Sequence, residues 1–181
     1  MDSILAGLCF ILLDFTLIFP TRTVALIPDF IGYLLLYRGL KELMEKAPAL
    51  ARLHRWSCPL AVGTGTSWLL FILGVLPSSG TAVLLLRSAA AIAALWGAWQ
   101  TATGIRQMEE SYHIELEAVR LRRAWWWMAG TVVVVFLLPE RMWILRLIPV
   151  ALTLRFLRLA AHSFRFYRAR RPGGESFGYK P

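Results

Sequence analysis

Four charged side chains interrupt runs of residues that are otherwise apolar: Asp14, Asp29, Arg87 and Arg146. Each lies close to one of three proline turns, at Pro20, Pro77 and Pro139. At about 1.5 Å of helix per residue, all four would lie about 9–15 Å from those turns. Two carboxylates and two guanidinium groups at one depth could pair between helices, or could line a polar binding site or an ion path. The sequence therefore predicts a candidate charge cluster of these four residues.

The second apolar run contains a candidate helix break at Pro28. Proline is favoured at the first helical position, and Asp29 beside it suits the positive end of the helix dipole. A broken helix would line a binding site, as in transporters, whereas a proline kink would have no such role. Both interpretations stay open. Gly32, one turn later, would let another helix approach closely.

Signatures of catalysis are missing from the sequence. It contains neither Gly-x-Ser-x-Gly nor His-Glu-x-x-His, and its 3 histidines lie apart. We therefore predict no catalytic residue, no metal site and no cofactor. The sequence favours a protein that is not an enzyme, without excluding one. An intramembrane enzyme that uses Asp14 and Asp29 as a pair stays open as a third hypothesis.

The elements that would position these residues follow from the apolar runs. The chain is 57% hydrophobic, against about 45–50% in soluble domains, and runs of roughly 18 or more apolar residues are typical of membrane spans. We predict an all-α, polytopic membrane protein with six transmembrane helices, arranged as three consecutive hairpins. The predicted spans cover about 4–19, 24–40, 58–76, 81–105, 125–138 and 142–161.

The segments between these hairpins are basic and have helical periodicity. Residues 41–55 and 106–123 are predicted to be helices that lie at the membrane surface or in the cytoplasm. Residues 1–171 would form a single domain of six transmembrane helices. Residues 172–181 would be a disordered tail.

Positive charge predicts the orientation of the chain. There are 20 Lys and Arg residues against 11 Asp and Glu residues, and most of the positive charge lies in the two connectors and the tail. By the positive-inside rule, both termini would be cytoplasmic in a bacterial inner membrane. The same rule explains the basic composition without nucleic acid as a partner. We expect membrane lipids, chiefly anionic ones, and a protein in the membrane as candidate partners.

A stripe of basic residues follows one face of the last span and its extension: Arg155, Arg158, Arg165 and Arg168. Long basic side chains at a helix end extend toward the headgroups and contact anionic lipid. We therefore predict that this stripe faces lipid.

The string from Pro28 to Leu36, followed by Arg38-Gly39-Leu40, resembles a motif of small uncharacterised bacterial multi-pass membrane proteins. That resemblance implies a membrane location, but it does not suggest an activity. In size and span count the chain is also similar to the substrate-capture subunits of energy-coupling-factor vitamin transporters. Their Ala-x-x-x-Ala docking motif is missing from the first span here, whereas that spacing occurs in the fourth span, at Ala90, Ala94 and Ala98.

The leading functional hypothesis is a small transport-type protein, or one that binds a solute or lipid, with the charge cluster as its intramembrane site. The alternative is a scaffold or regulatory subunit without catalytic activity. Such a subunit would bind partners or anionic lipid through its basic cytoplasmic helices.

Overall fold

A computed structural model describes residues 2–13, 16–18, 23–25, 29–41, 43–75, 80–113, 116–137 and 147–170. Helices dominate this part of the chain, which confirms the helical fold. In chain order the elements are α1 (Asp2–Leu12), β1 (Thr16–Ile18), β2 (Thr23–Ala25), α2 (Asp29–Leu40), α3 (Pro48–Ile72), α4 (Thr81–Tyr112), α5 (Ala118–Leu137) and α6 (Leu147–Arg170).

The first hairpin differs from the predicted spans 4–19 and 24–40. Its two helices, α1 and α2, are shorter than those spans, and β1 and β2 lie between them as an antiparallel ribbon with Leu17 opposite Val24. The strands are rich in Thr, Ile and Val, whose branched Cβ atoms restrict the side chain in a helix and favour a strand. A short apolar run does not distinguish the two structures, so the prediction extended both helices too far.

The later helices are longer than the predicted spans because they include parts of the connectors. α3 begins at Pro48, a residue suited to the first helical position, and continues through the boundary predicted near residue 55. α4 continues seven residues beyond the predicted end of its span, to Tyr112. The surface helices predicted at 41–55 and 106–123 are therefore not separate elements. The predicted tail, residues 172–181, lies outside the described residues.

The break between α4 and α5 occurs without proline or glycine. His113, which follows α4, has φ 51° and Glu117 has φ 58°, so both lie in the left-handed region. The carboxylate of Glu109 then accepts a hydrogen bond from the backbone N–H of Ala118 at 3.0 Å. This bond satisfies one of the free amide groups at the start of α5 and joins it to the end of α4.

Consecutive helices pack against each other, and α1 also contacts α4 and α6. The basic ends of the helices meet on one side of this bundle, and the core lies there. Its largest fully buried apolar side chains include Leu40, Leu50, Leu53, Ile105, Met108, Phe156 and Phe164. The connector after α2 belongs to this core, because Leu43 and Ala47 are buried in it.

The opposite ends of the long helices are apolar but exposed. Large apolar side chains exposed there include Leu69, Ile72, Leu84, Leu85, Val133, Val134, Ile148 and Val150. Within the described ranges, α4 is the one helix that is both long enough and apolar enough to cross a membrane, and only 17% of its apolar stretch is buried.

Candidate functional site

The structure describes two of the four residues of the predicted charge cluster, since Asp14 and Arg146 lie outside the described residues. Asp29 is the first residue of α2 and is half-buried. Arg87 is exposed on the apolar half of α4, and no ion pair joins it to another described residue. Asp29 and Arg87 therefore do not form an ion pair. The cluster of four stays a prediction from the sequence.

The predicted helix break falls just before α2. Pro28 lies outside the described residues, and α2 begins at the next residue, Asp29. Gly32 lies against α1: a Cβ atom added there would be 2.8 Å from the carbonyl oxygen of Gly7. Because any side chain at Gly32 would meet backbone, the close contact between α1 and α2 at this point requires glycine at both position 7 and position 32.

A buried donor lies beside the start of α2. The ring of Phe30 meets the ring of Trp68 in α3 edge-on, with centroids 5.9 Å apart. Trp68 Nε1 is buried and, among the described residues, is the one buried side-chain nitrogen or oxygen without a hydrogen-bond partner. A buried donor left unsatisfied costs about 1–3 kcal/mol. Sequence reasoning missed this atom because no residue pattern marks Trp68.

The predicted basic stripe lies on the outer face of α6. Arg155, Arg158 and Arg165 are exposed. The opposite face is buried in the bundle, with Phe156, Ala160, Ser163, Phe164 and Tyr167. The side chain of Arg168 lies outside the described residues. The described guanidinium groups therefore face away from the bundle.

A second basic surface, which we call the Arg–Trp pocket, lies between α4 and α5. It is an open pocket of about 300 Å³, lined by Arg106, Val119, Arg122, Arg123 and Trp126. Arg106 donates to the carboxylate of Glu110 at 2.8 Å, one turn along α4. Basic residues at 106–123 were visible in the sequence. Their convergence was not, because it depends on how α4 packs against α5.

Tryptophans join α4 and α5 beside the Arg–Trp pocket. The ring centroids of Trp99 and Trp125 are 4.7 Å apart, and those of Trp125 and Trp126 are 5.1 Å apart. Trp125 Nε1 donates to the carbonyl of Leu95 at 2.9 Å. The guanidinium carbon of Arg122 lies 5.1 Å from the centre of the Trp99 ring, within range of a cation–π interaction. Tryptophan and arginine together are typical of a membrane–water interface.

Polar contacts fasten the connectors to the basic end of the bundle. Lys46 Nζ donates to the hydroxyl of Tyr167 at 3.1 Å and also lies over the Tyr112 ring. The buried hydroxyl of Ser163 donates to the carbonyl of Leu116 at 2.6 Å. Because these contacts join both connectors to α6, the basic end is a packed unit and not a set of loose loops.

No family model, curated protein or solved structure matches this chain. The resemblance carried by residues 28–40 therefore stays a prediction.

Proposed function

We propose that the chain is a multi-pass membrane protein that binds anionic lipid through the basic end of its helical bundle and catalyses no reaction. The observation that carries this proposal is the reversed distribution of burial. The charged halves of the helices hold the core, whereas the apolar halves expose side chains such as Leu85 and Val133. Removing one such side chain from water is worth about 1.5–3 kcal/mol, and contiguous exposed apolar surface is typical of membrane contact.

α4 has both the length and the apolar composition to cross the hydrocarbon layer, which is about 30 Å thick, and α3, α5 and α6 would enter it beside α4 with their apolar halves. α1 and α2, with 11 and 12 residues, would each extend only about 16–18 Å. A ribbon edge exposed to lipid leaves backbone groups unsatisfied, so β1 and β2 belong outside the hydrocarbon or against protein. The N-terminal hairpin thus enters from the basic side and returns to it.

Hydroxyl groups on the apolar halves of the helices are satisfied within their own helix. Thr66 donates to the carbonyl of Val62 at 2.8 Å, Ser88 to that of Leu84 at 2.7 Å, and Thr131 to that of Met128 at 2.9 Å. All three residues lie among exposed apolar side chains. Such bonds matter most where water cannot replace them, so they favour lipid as the surroundings of these segments.

The charge distribution favours a cytoplasmic location for the basic end. Anionic lipid attracts each Lys or Arg near the surface by about 1 kcal/mol. The first described helix, α1, begins at this side and the last, α6, ends there. Both termini would therefore be cytoplasmic. A reporter enzyme fused after Pro181 should be active only in the cytoplasm, and activity only outside the membrane would refute this orientation.

Lipid binding can be measured on the purified chain in a neutral detergent. Phosphatidylglycerol should raise the unfolding temperature more than phosphatidylcholine does, because it carries a net negative charge. The difference should shrink as salt is raised, since salt screens surface charge. Equal effects of the two lipids at low salt would contradict anionic-lipid binding.

One observation favours the solute-binding hypothesis as a second candidate. The unsatisfied Nε1 of Trp68 is buried against Phe30, the neighbour of Asp29, and a ligand oxygen could accept its hydrogen bond. A site at this end of the bundle would include Asp29, one member of the predicted charge cluster. Replacing Trp68 by Phe should then abolish solute binding, because it removes the N–H donor and keeps an aromatic side chain, whereas unchanged binding would exclude Trp68 from the site.

A further inference from the structure

We propose that the Arg–Trp pocket binds a lipid whose headgroup ends in a phosphate monoester, in its dianionic form. The inference rests on the proposed function, because the pocket must lie at the level of the headgroups. The pocket's five lining residues come from the end of α4 and the start of α5.

The charges around the pocket match a dianion. Of its three arginines, Arg106 is neutralised by Glu110 at 2.8 Å. Arg122 and Arg123 have no carboxylate partner among the described residues, which leaves two positive charges. A phosphate monoester carries about −1.5 to −2 at neutral pH, whereas a phosphodiester carries only one negative charge. Guanidinium groups also bind phosphate with two parallel hydrogen bonds.

α5 supplies no carboxylate to offset these two arginines. They lie in its second turn, and the helix contains no acidic residue from Ala118 to Leu137. Two carboxylates at the junction of α4 and α5 already have partners. Glu109 accepts from the backbone of Ala118, and Glu117 pairs with Arg120 at 2.8 Å. A bound phosphate would offset the remaining repulsion at Arg122 and Arg123.

The apolar part of the pocket identifies the ligand as an amphiphile. Val119 is 70% exposed and Trp126 is 63% exposed, although both are apolar and adjoin the arginines. The volume of about 300 Å³ is at the lower limit of small-molecule sites, which suits a headgroup but not its acyl chains. Those chains would continue along the exposed apolar surface of α5 near Val133. We therefore assign the phosphate to a lipid and not to a soluble ion.

The first experiment compares ligands on the unaltered protein, by native mass spectrometry in a neutral detergent. Phosphatidate should bind at least tenfold more tightly than phosphatidylmethanol, which has the same phosphate but one charge fewer. Equal affinities would overturn the assignment of a dianion. Inorganic phosphate should not displace phosphatidate at equal concentration, and displacement would overturn the lipid as the source of the phosphate.

The second experiment compares two double variants that remove the same charge. Arg122→Gln with Arg123→Gln should weaken phosphatidate binding at least tenfold. Arg155→Gln with Arg158→Gln, on the outer face of α6, should weaken it less than threefold. Equal losses would overturn the pocket but leave general anionic-lipid binding intact. Arg123→Gln alone, which spares the contact of Arg122 with Trp99, should weaken binding at least threefold even if the double variant fails to fold.

The unaltered protein separates the two proposals. If it does not distinguish phosphatidate or phosphatidylglycerol from phosphatidylcholine, the proposed function fails and the pocket assignment fails with it. If it prefers both anionic lipids equally, the proposed function stands and only the pocket assignment is overturned.

Discussion

Replacing Gly7 by alanine should separate α1 from α2, because the two helices meet there through backbone atoms. A Cβ atom at Gly7 would lie 2.7 Å from the carbonyl oxygen of Gly32 and 2.9 Å from the backbone nitrogen of Leu36. Ordinary contact begins near 3.4 Å, so the helices must move apart by about 0.7 Å. No rotamer change can relieve this clash, since both opposing atoms are backbone. Overpacking of this kind costs about 1–3 kcal/mol.

The matched control is Gly63→Ala in α3, where an added Cβ would meet nothing within 4 Å. Both substitutions gain about 1 kcal/mol because alanine favours the helix more than glycine does. That gain cancels in the comparison. Gly7→Ala should therefore be less stable than Gly63→Ala by about 1–3 kcal/mol, or roughly 5- to 140-fold in the unfolding equilibrium.

The assay is unfolding in mixed micelles by titration with a denaturing detergent, followed by far-ultraviolet circular dichroism. The free energy of unfolding is compared between the two variants at one detergent composition. A difference below about 0.5 kcal/mol would refute the close approach of α1 and α2, since sites without a special contact change stability by no more than that.

Two further substitutions test the packing of the basic end. Ser163→Ala should lower the free energy of unfolding by about 1–3 kcal/mol, because it leaves the buried carbonyl of Leu116 without its hydrogen-bond donor. Its control is Ser67→Ala, which should change the free energy of unfolding by less than about 0.5 kcal/mol, because the Ser67 hydroxyl bonds only within α3. Lys46→Met should cost about 1–2 kcal/mol through the lost hydrogen bond and cation–π contacts. Lys41→Met, at an exposed site, should be nearly neutral in the same unfolding assay.

The sequence predicted the helices in the second and third hairpins because their apolar runs are long. It also placed basic residues at one end of each helix from α2 to α6. It did not predict the ribbon of β1 and β2, because short runs of apolar and β-branched residues fit either structure. Nor did it predict the left-handed backbone at His113 and Glu117, since neither residue type demands that conformation.

For the candidate sites too, the sequence predicted features that depend on spacing within one helix and missed features that depend on contacts between helices. The basic stripe on α6 follows from spacing along one helix, and the described members are exposed together. The Arg–Trp pocket forms only because α4 and α5 pack against each other. Trp68 Nε1, the donor without a hydrogen-bond partner, is buried only because a neighbouring helix covers it. The spacing of residues within one helix does not indicate which residues of another helix will lie beside them. The cluster of four charges was inferred from depth alone, and depth does not specify the direction in which Arg87 points.

The most direct test of lipid contact uses spin labels on a single helix, α4, in reconstituted vesicles. Labels are placed at Leu85, which is 64% exposed on the apolar half, and at Glu110, which is exposed near the basic end. Cys9 and Cys58 are first replaced by alanine. If the apolar half contacts lipid, the label at Leu85 will collide with oxygen far more than with a water-soluble nickel chelate, and the label at Glu110 will show the reverse. Preferential collision of the nickel chelate with the label at Leu85 would contradict membrane insertion of this bundle.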